Sequence, residues 1–537
     1  MPVIDVSQSE LERLLGRKVE LPSILRCLDQ LGLDTRLEGE KLEVEVTHNR
    51  PDLLSVEGLA RVLKGMLGIE TGLPRYKVAK PCLTLRVDRS VSGVRPIIKA
   101  GVVRNVQLDE EALVSIMQLQ ERLHETVCRR RRKASIGVYD LDTLQPPIYY
   151  RAVKPDEVSF VPLEWDTELK LSEILKKHPK GIAFAHLLEG LELFPLLQDS
   201  KGRVLSMPPI VNSEETKVTT QTKNLFVDVT GLDERAVTDS LNIMMCALAE
   251  RGFKLEAVRM VPGGITPDLS PIRMRVDVEK ASEYVGIRFS RKEAARILRR
   301  MRFEVAGETV LAPPYRTDLL HEVDLIEELA VGYGYDRLEP LPPRVHTIGE
   351  IHPLERLCGR VRLTMIGLGF TEVMNYILTS PRVNFELTGT GGEAVEIANP
   401  VSEEYTILRT WLLPSLLLTC QRNKIYELPQ KFFEVGDVVL PEPRGESVRT
   451  IRSVGAVHVG GNFTQMKAVA EALLREVGLK PEQRAGEHPS FLEGRVLEYL
   501  LGGERVGIIG EIHPRVLSNF KLNHPVASLE IRLGERV

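Results

Sequence analysis

The pentapeptide Arg50-Pro51-Asp52-Leu53-Leu54 returns much later as Arg316-Thr317-Asp318-Leu319-Leu320. Three further echoes come before it in the same order. Ile4-Asp5-Val6 returns in Arg275-Val276-Asp277-Val278, Leu14-Leu15-Gly16 in Tyr284-Val285-Gly286, and Leu31-Gly32-Leu33 in Met301-Arg302-Phe303. Ordered self-similarity of this kind requires one structural unit to be built twice, which constrains the fold more than any local propensity. In the first copy the hydrophobic periods predict a strand over Val3 to Val6, helices around Ser9 to Leu15 and Pro22 to Gly32, and a strand over Lys41 to Thr47. A helix through Glu57, Leu59, Ala60 and Leu63 follows.

The second copy ends in Pro313 to Pro340. Prolines exclude helix interior at their own positions, and Asp318 offers a capping oxygen, so a helix is expected from just after Asp318 to about Val331. At ~100° per residue Leu325, Ile326, Leu329 and Ala330 share one side, and Asp324, Glu327 and Glu328 lie within roughly 100° on the other. Neighbouring carboxylates repel by a few tenths of a kcal/mol per pair unless something positive sits on them. A carboxylate cluster suits a hard cation such as magnesium, directly or through water. His321, on the same arc, could supply part of the charge instead, and a solvated acidic face is the plain alternative. The repeat is an internal control: Asp52 to Ala60 spans eight positions where Asp318 to Ala330 spans twelve. The first copy keeps Asp52 and Glu57, has Gly58 in the place of Glu328, and has no partner for Asp324. Acids needed only for the fold would occur in both copies, so the asymmetry favours a site.

The string from Tyr315 to Pro340, YRTDLLHEVDLIEELAVGYGYDRLEP, resembles the signature of phenylalanine-tRNA ligase beta subunits in their shorter archaeal and eukaryotic form. The resemblance implies magnesium at Asp318, Asp324, Glu327 and Glu328, at a site shared with an alpha subunit. It implies an alpha2beta2 tetramer acting on tRNA, in which alpha activates phenylalanine with ATP and beta supplies assembly and proofreading. It also implies that the repeated module has a winged-helix-like shape, which by itself says nothing of DNA binding.

Composition agrees with a chain of several domains, since single cores rarely exceed ~250 to 300 residues and this one has 537, 43% of them hydrophobic. A net charge of −4 gives no support to non-specific coating of nucleic acid, so any RNA contact must be local or made with a partner. The six cysteines include no CxxC pair, which reads as reduced thiols rather than disulfides or a zinc site. No charged-then-apolar leader and no run of ~18 apolar residues is present, so a cytoplasmic protein without membrane contact is expected.

Thr71 to Pro81 and Val261 to Pro271 read as linkers. Between them, strands are expected over Leu83 to Val87, Ile97 to Val106 and Leu225 to Gly231, and helices over Glu110 to Val127 and Ser240 to Gly252. Arg129-Arg130-Arg131-Arg132-Lys133 is either a phosphate-binding patch or a solvated helix end. By resemblance this is a tRNA-editing domain. A pocket for phenylalanine excludes an added hydroxyl by only ~100-fold, so a hydrolytic site must clear mischarged tyrosyl-tRNA. Such a site needs an acceptor for the phenol proton and donors around the ester and its water. Asn212, Ser213, Glu214, Asp228 and Thr230 carry suitable groups, with Asp228 or Glu214 the natural acceptor. Asp228 and Thr230 share one face of their strand, which on the plain reading is the wet side of an edge strand. No histidine stands nearby in sequence, so a Ser-His-Asp mechanism is not indicated.

After Glu339 to Pro353 resets the chain, a helix over Leu354 to Leu368 is expected, then strands over Phe370 to Tyr376, Ala394 to Ala398, Lys431 to Val439 and Val454 to Val459. Asn399 to Ser402, Leu408 to Leu418 and Phe432 to Gly436 resemble the core of class II aminoacyl-tRNA synthetases. The arginine of the ATP-holding Phe-Arg-x-Glu string is missing from Phe432-Phe433-Glu434, and no Gly-x-Gly-x-x-Arg closes the unit. A triphosphate needs fixed cations, so no synthetic catalytic residue is expected. His513, beside Pro514, reads as structural. The expected architecture is α+β and multidomain. Residues 1–75 form the first winged-helix-like module, 80–260 the editing domain, 270–345 the acidic-helix magnesium module, and 350–537 a silent class II-like antiparallel sheet with helices. The alternative is a free-standing nucleic-acid-binding or regulatory protein built from the same modules.

Overall fold

The computed structural model describes residues 2–39, 41–343, 345–442 and 447–535, so Met1, Arg344 and Val537, which bound or interrupt the expected segments, lie outside the described residues. The chain forms two compact units, Met1–Leu341 and Pro342–Val537. The architecture is α+β throughout. No helix among the described residues is long and apolar enough to cross a membrane.

In the first unit the duplication is physical. Each copy runs strand, helix, helix, hairpin, helix: Val3–Ser7, Gln8–Leu15, Leu21–Gln30, Asp34–Glu38 with Lys41–Glu45, and Val56–Met66, against Ile272–Arg275, Val278–Val285, Arg291–Arg300, Glu304–Ala306 with Thr309–Ala312, and Glu322–Tyr333. In both three-stranded sheets the last strand lies in the middle. The first helix ends on a left-handed glycine in each copy, Gly16 at φ 73° and Gly286 at φ 78°. At the second such stop the copies differ, because Gly32 (φ 74°) is answered by Arg302 (φ 71°). A side chain in that region costs about 1–2 kcal/mol. Arg302 recovers contacts with the tail of the first copy, donating from Nη1 to the Glu70 carbonyl at 2.5 Å.

That contact belongs to a seam between the copies. Arg300 Nη2 donates to the Met66 carbonyl at 2.7 Å, the Gly72 amide to the Arg299 carbonyl at 2.7 Å, and the Arg61 guanidinium lies 3.5 Å from the centre of the Tyr315 ring. Gly65 permits the approach, since a Cβ there would stand 2.1 Å from the Arg300 carbonyl oxygen.

Between the copies in sequence lies a ten-stranded mixed sheet. Helices Glu110–Glu125 and Glu234–Glu250 cover one face, packing Ile116, Leu119, Leu241 and Met245 against Val103, Leu225, Val227 and Val229. The other face buries Ile98, Ala100, Tyr139, Tyr150 and Phe226. Strand Asn224–Gly231 is interior, paired with Ile97–Arg104 on one side and Ala134–Asp140 on the other, so the edge-strand reading of Asp228 and Thr230 does not apply. Arg251 ties this domain to the first copy, its Nη1 at 2.7 Å from Glu10 and its Nε at 2.5 Å from Glu57.

The second unit is a seven-stranded sheet in the order Thr371–Glu372, Gln430–Pro441, Val448–Val459, Val526–Glu535, Glu504–Ile512, Phe491–Leu501, Glu482–Ala485, antiparallel except for the first pair. Helices Pro353–Gly367 and Phe463–Val477 share one core with it, and Leu413–Arg422 another. Two expected strands shrink: Phe370 to Tyr376 to Thr371–Glu372, and Ala394 to Ala398 to a single bridge between Glu396 and Ile407. His513 caps a short helix, its Nδ1 accepting the Arg515 amide at 3.1 Å.

The seam yields a prediction. Gly65→Ala should lower the stability of the first unit by about 1–3 kcal/mol through overpacking, seen as an earlier calorimetric transition. An unchanged transition would mean that the copies are not held at this distance.

Candidate functional site

Strand register builds the first candidate site. Asp228 stands opposite Gly137 on one neighbouring strand and Ala100 on the other. Gly137 must be glycine, for a Cβ there would lie 2.0 Å from the Tyr139 hydroxyl and 2.4 Å from Asp228 Oδ1. The missing side chain contributes to a cavity of about 340 Å³ walled by Tyr139, Ser206, Pro208 to Asn212, Gln120, His124, Arg131 and Asp228. Asp228 is 1% exposed, and its Oδ1 has no hydrogen-bond partner. Burial pushes its carboxyl up to about 7, with the Tyr139 hydroxyl and Arg95 guanidinium pulling less strongly the other way. Tyr139 itself donates to Ser206 Oγ at 2.8 Å. The cavity thus ends in a buried acceptor that lacks a donor, which a native interior rarely leaves.

Of the five sequence candidates, Asn212 and Asp228 reach the cavity wall. Asn212 Nδ2 donates to the Val138 carbonyl at 3.4 Å. Ser213 is buried behind the wall and caps the next turn, accepting the Glu215 amide at 3.3 Å. Glu214 points to solvent, takes the Glu164 amide at 2.7 Å and Lys217 Nζ at 3.1 Å, and is thereby held below the usual range of a glutamate. It is not the buried acceptor. Thr230 is fully buried one layer deeper, against Arg95 and Ser135.

Sequence reasoning missed the opposite wall. His124 is there, but its Nε2 accepts the Ile136 amide at 2.8 Å, its Nδ1 stands 3.5 Å from Glu121, and burial holds it down to about 4. It is a neutral brace and not a base. Arg131 leaves the five-cation run in a left-handed conformation (φ 64°) and turns inward. It donates to the Pro209 and Ile210 carbonyls at 3.2 and 2.8 Å and meets Glu121 at 3.0 Å. Lys133 pairs with Asp233 at 2.6 Å, and Arg129, Arg130 and Arg132 are exposed. The run is therefore neither a uniform patch nor a simple helix end. The signal available in sequence was the amphipathic face of Glu110–Glu125, where His124 sits among core residues.

The second candidate site is arranged differently from the expectation. The helix begins at Glu322 and not after Asp318, with His321 as its cap. Asp324 Oδ2 accepts the Leu320 and His321 amides at 2.6 and 2.7 Å. Asp318 is gripped by both arms of Arg316, at 2.9 and 2.6 Å. The same guanidinium reaches Glu328 Oε1 at 2.7 Å, and Arg50 of the first copy lies 3.8 Å from that oxygen. The positive charge the acids require is arginine, supplied by both copies, and His321 does not provide it. Glu327 is exposed, 100° round the helix from buried Glu328. The four acids are not gathered at one point, and among the described residues no group of three or more His, Cys, Asp or Glu could hold a metal ion. Within this chain alone they do not fit magnesium. The first copy repeats the grip, Arg50 on Asp52 at 2.9 and 2.9 Å. Gly58 cannot be Glu there because a Cβ would meet the Asp52 carbonyl oxygen at 1.9 Å.

In the second unit Glu434 is buried and paired with Arg409 at 2.7 Å, and its other oxygen accepts Asn375 Nδ2 at 2.8 Å. Arg409 also donates from Nε to the Asp437 carbonyl at 2.9 Å, while its buried Nη1 has no hydrogen-bond partner.

Comparison with known proteins places the molecule. Family models match residues 120–259 as a B3/4 domain and 274–335 as a tRNA synthetase B5 domain, which defines the class: a subunit of an aminoacyl-tRNA ligase. Residues 338–533 match the phenylalanyl tRNA synthetase beta chain CLM domain. Phenylalanine–tRNA ligase beta subunits of Methanothrix thermoacetophila and Archaeoglobus fulgidus are each 42% identical, covering 99% of this chain and 100% and 98% of their own lengths. The crystal structure of an N-terminal fragment of the phenylalanyl-tRNA synthetase beta subunit from Pyrococcus horikoshii aligns at 40% identity and a TM-score of 0.59, over 62% of this chain and 99% of the fragment. The chain belongs to the phenylalanine–tRNA ligase beta subunit family and so to the machinery of protein biosynthesis.

Replacing Arg316 by Met should cost about 3–5 kcal/mol, because the largely buried Asp318 would lose both of its bonds from a cation and buried Glu328 would keep only Arg50, 3.8 Å away. Calorimetry of the first unit checks this, and an undisturbed melt would show that the acids draw their balance from elsewhere.

Proposed function

We propose that this chain is the assembly and proofreading subunit of a heteromeric ligase whose alpha subunit joins phenylalanine to tRNA with ATP, and that its cavity hydrolyses mischarged tyrosyl-tRNA. The observation that carries the proofreading half is the orphaned Asp228 Oδ1 at the end of the cavity. A tyrosine side chain brings one hydroxyl donor on an otherwise apolar ring. Phenylalanine brings none and would leave the acceptor buried and unsatisfied, a penalty of about 1–3 kcal/mol. The backbone groups and Asn212 on the wall suit an ester and a water positioned with help from tRNA.

The synthetic reaction is assigned to the partner because the arginine of the ATP-holding string is missing from Phe432-Phe433-Glu434, and Glu434 is paired instead with Arg409 at 2.7 Å. Apolar surface in the second unit supports docking of alpha there: Leu363 is 72%, Met374 95% and Ile425 79% exposed. In the first copy Glu57 is buried against Arg251, whereas its counterpart Glu327 faces outward. Glu327 and the free oxygen of Asp324, one turn apart, are the acids left for a magnesium ion shared with alpha. A bound ion there would neutralise carboxylates at an interface.

Co-purified with alpha, the chain should charge tRNA with phenylalanine, and alone it should not. Asp228→Asn in that complex should slow tyrosyl-tRNA hydrolysis by about 10- to 100-fold, the worth of a charge-assisted hydrogen bond. Hydrolysis at the wild-type rate would remove Asp228 from the reaction. Glu327→Gln should raise the magnesium concentration needed for assembly, and an identical titration would exclude that acid from any shared site.

A further inference from the structure

Behind the Asp228 wall lies a buried cation without a carboxylate in contact. Arg95 is 4% exposed and follows the short turn Arg89–Gly93. Its Nε donates to Thr230 Oγ1 at 3.1 Å, and its Nη2 donates to the Thr230 carbonyl at 2.9 Å, to Ser135 Oγ at 3.4 Å and to the Arg131 carbonyl at 3.3 Å. Thr230 and Ser135 are direct cross-strand partners with their hydroxyls 3.0 Å apart, two positions from the Asp228 and Gly137 pair. The Arg95 carbonyl in turn accepts the Tyr150 hydroxyl at 2.7 Å. One guanidinium therefore spans both strands that carry the cavity floor and the segment that carries the Arg131 wall.

A buried charge without a paired opposite charge costs several kcal/mol, so a plain structural reading would favour a neutral side chain at this position. We infer that Arg95 is the positioning residue of the cavity: its fork locks Thr230, Ser135 and the Arg131 segment together, and its charge keeps Asp228 able to accept the hydroxyl proton of the substrate. This deepens the proofreading reading and rests on it. The groups that face Asp228 are Arg95 from behind, Tyr139 from its own sheet neighbour and Tyr150 from strand Ile148–Val153. Burial holds both tyrosines above their usual range, so they stay neutral and Arg95 provides the positive charge. His124, Glu121 and Arg131 stand on the opposite wall.

The test is the pH profile of tyrosyl-tRNA hydrolysis by the complete complex with alpha, for the wild type and for Arg95→Gln, Arg95→Lys and Ser135→Ala. Burial pushes the Asp228 carboxyl up to about 7, so wild-type hydrolysis should rise with pH as it ionises. Loss of the cation in Arg95→Gln should move that rise to higher pH, because the positive charge favours the ionised carboxylate. Arg95→Lys should restore the profile but not the rate, since an ammonium cannot hold Thr230 and Ser135 together as a fork does. Ser135→Ala should lower the rate several-fold and leave the profile in place. Folding of each variant is read from its melting transition and co-purification with alpha. Equal losses of rate in Arg95→Gln and Arg95→Lys with unmoved profiles would overturn the inference. If Arg95→Gln does not fold, Arg95→Lys and Ser135→Ala still decide it, because a shifted profile in Ser135→Ala would deny Arg95 the electrostatic part. A wild-type complex that hydrolyses no tyrosyl-tRNA at any pH would instead overturn the proofreading reading itself.

Discussion

The first unit depends on a pair of arginine forks meeting across the seam of a duplicated module. Arg50 grips Asp52 and Arg316 grips Asp318, each from two residues away, and Glu328 receives both arginines. Buried ion pairs of this kind add little net stability over apolar packing of the same volume, but a misplaced partner is strongly destabilising. The forks therefore act on placement. In the relative position where Glu328 Oε1 meets both arginines, Gly65 meets the backbone of Arg300 and Arg61 lies on Tyr315. The strained Arg302 is affordable for the same reason, since its contact with Glu70 exists only across that seam.

The mixed sheet inherits its setting from the same frame. Its chain enters at strand Val78–Val87 and would leave along the parallel neighbour Lys254–Val261 at the far end. The short strand Gly264–Thr266 reverses it, antiparallel to Lys254–Val261, and carries it back toward the second copy. Arg251 fixes the angle by reaching Glu10 and Glu57 at once. Duplication thus supplies two related surfaces with different uses. The position held by Glu57 is consumed inside the chain, and the one held by Glu327 is left facing out.

Much of this was legible in the sequence because it is local. The strand and helix signals of the first copy forecast most of its elements within a few residues, their ordered echoes implied a second copy, and period two placed Asp228 and Thr230 on one face. Strand Asp34–Glu38 was not legible, since DTRLE is an edge strand with little apolar alternation. The helix start after Asp318 was misjudged because a carboxylate before a helix reads as a cap whether it faces the amides or an arginine. Arg316 was visible as a neighbour, but its direction was not. For the cavity, sequence gave the residues of one strand and one loop. His124, Arg131 and Tyr139 come from elements far away in the chain, and only the sheet order brings them to Asp228.

Asp52 and Asp228 show how one residue type separates into two tasks. Both are buried, and burial drives both carboxyls upward. For Asp52 the arginines around it, Arg50 foremost with Arg316 and Arg61, together outweigh that push and leave it below its usual range, so its contribution to stability is present above the unfolded value and lost as pH falls through the folded one. Asp228 has no such contact and rises from 3.8 to about 7. Its folded form binds the proton more tightly, so the stability it lends is fully present below the unfolded value and disappears as pH climbs through the folded one. At pH 7 and above, Asp52 helps the fold and Asp228 burdens it. An acid placed against stability at the end of a cavity, with its free oxygen unsatisfied, is the feature on which the proposed proofreading function rests.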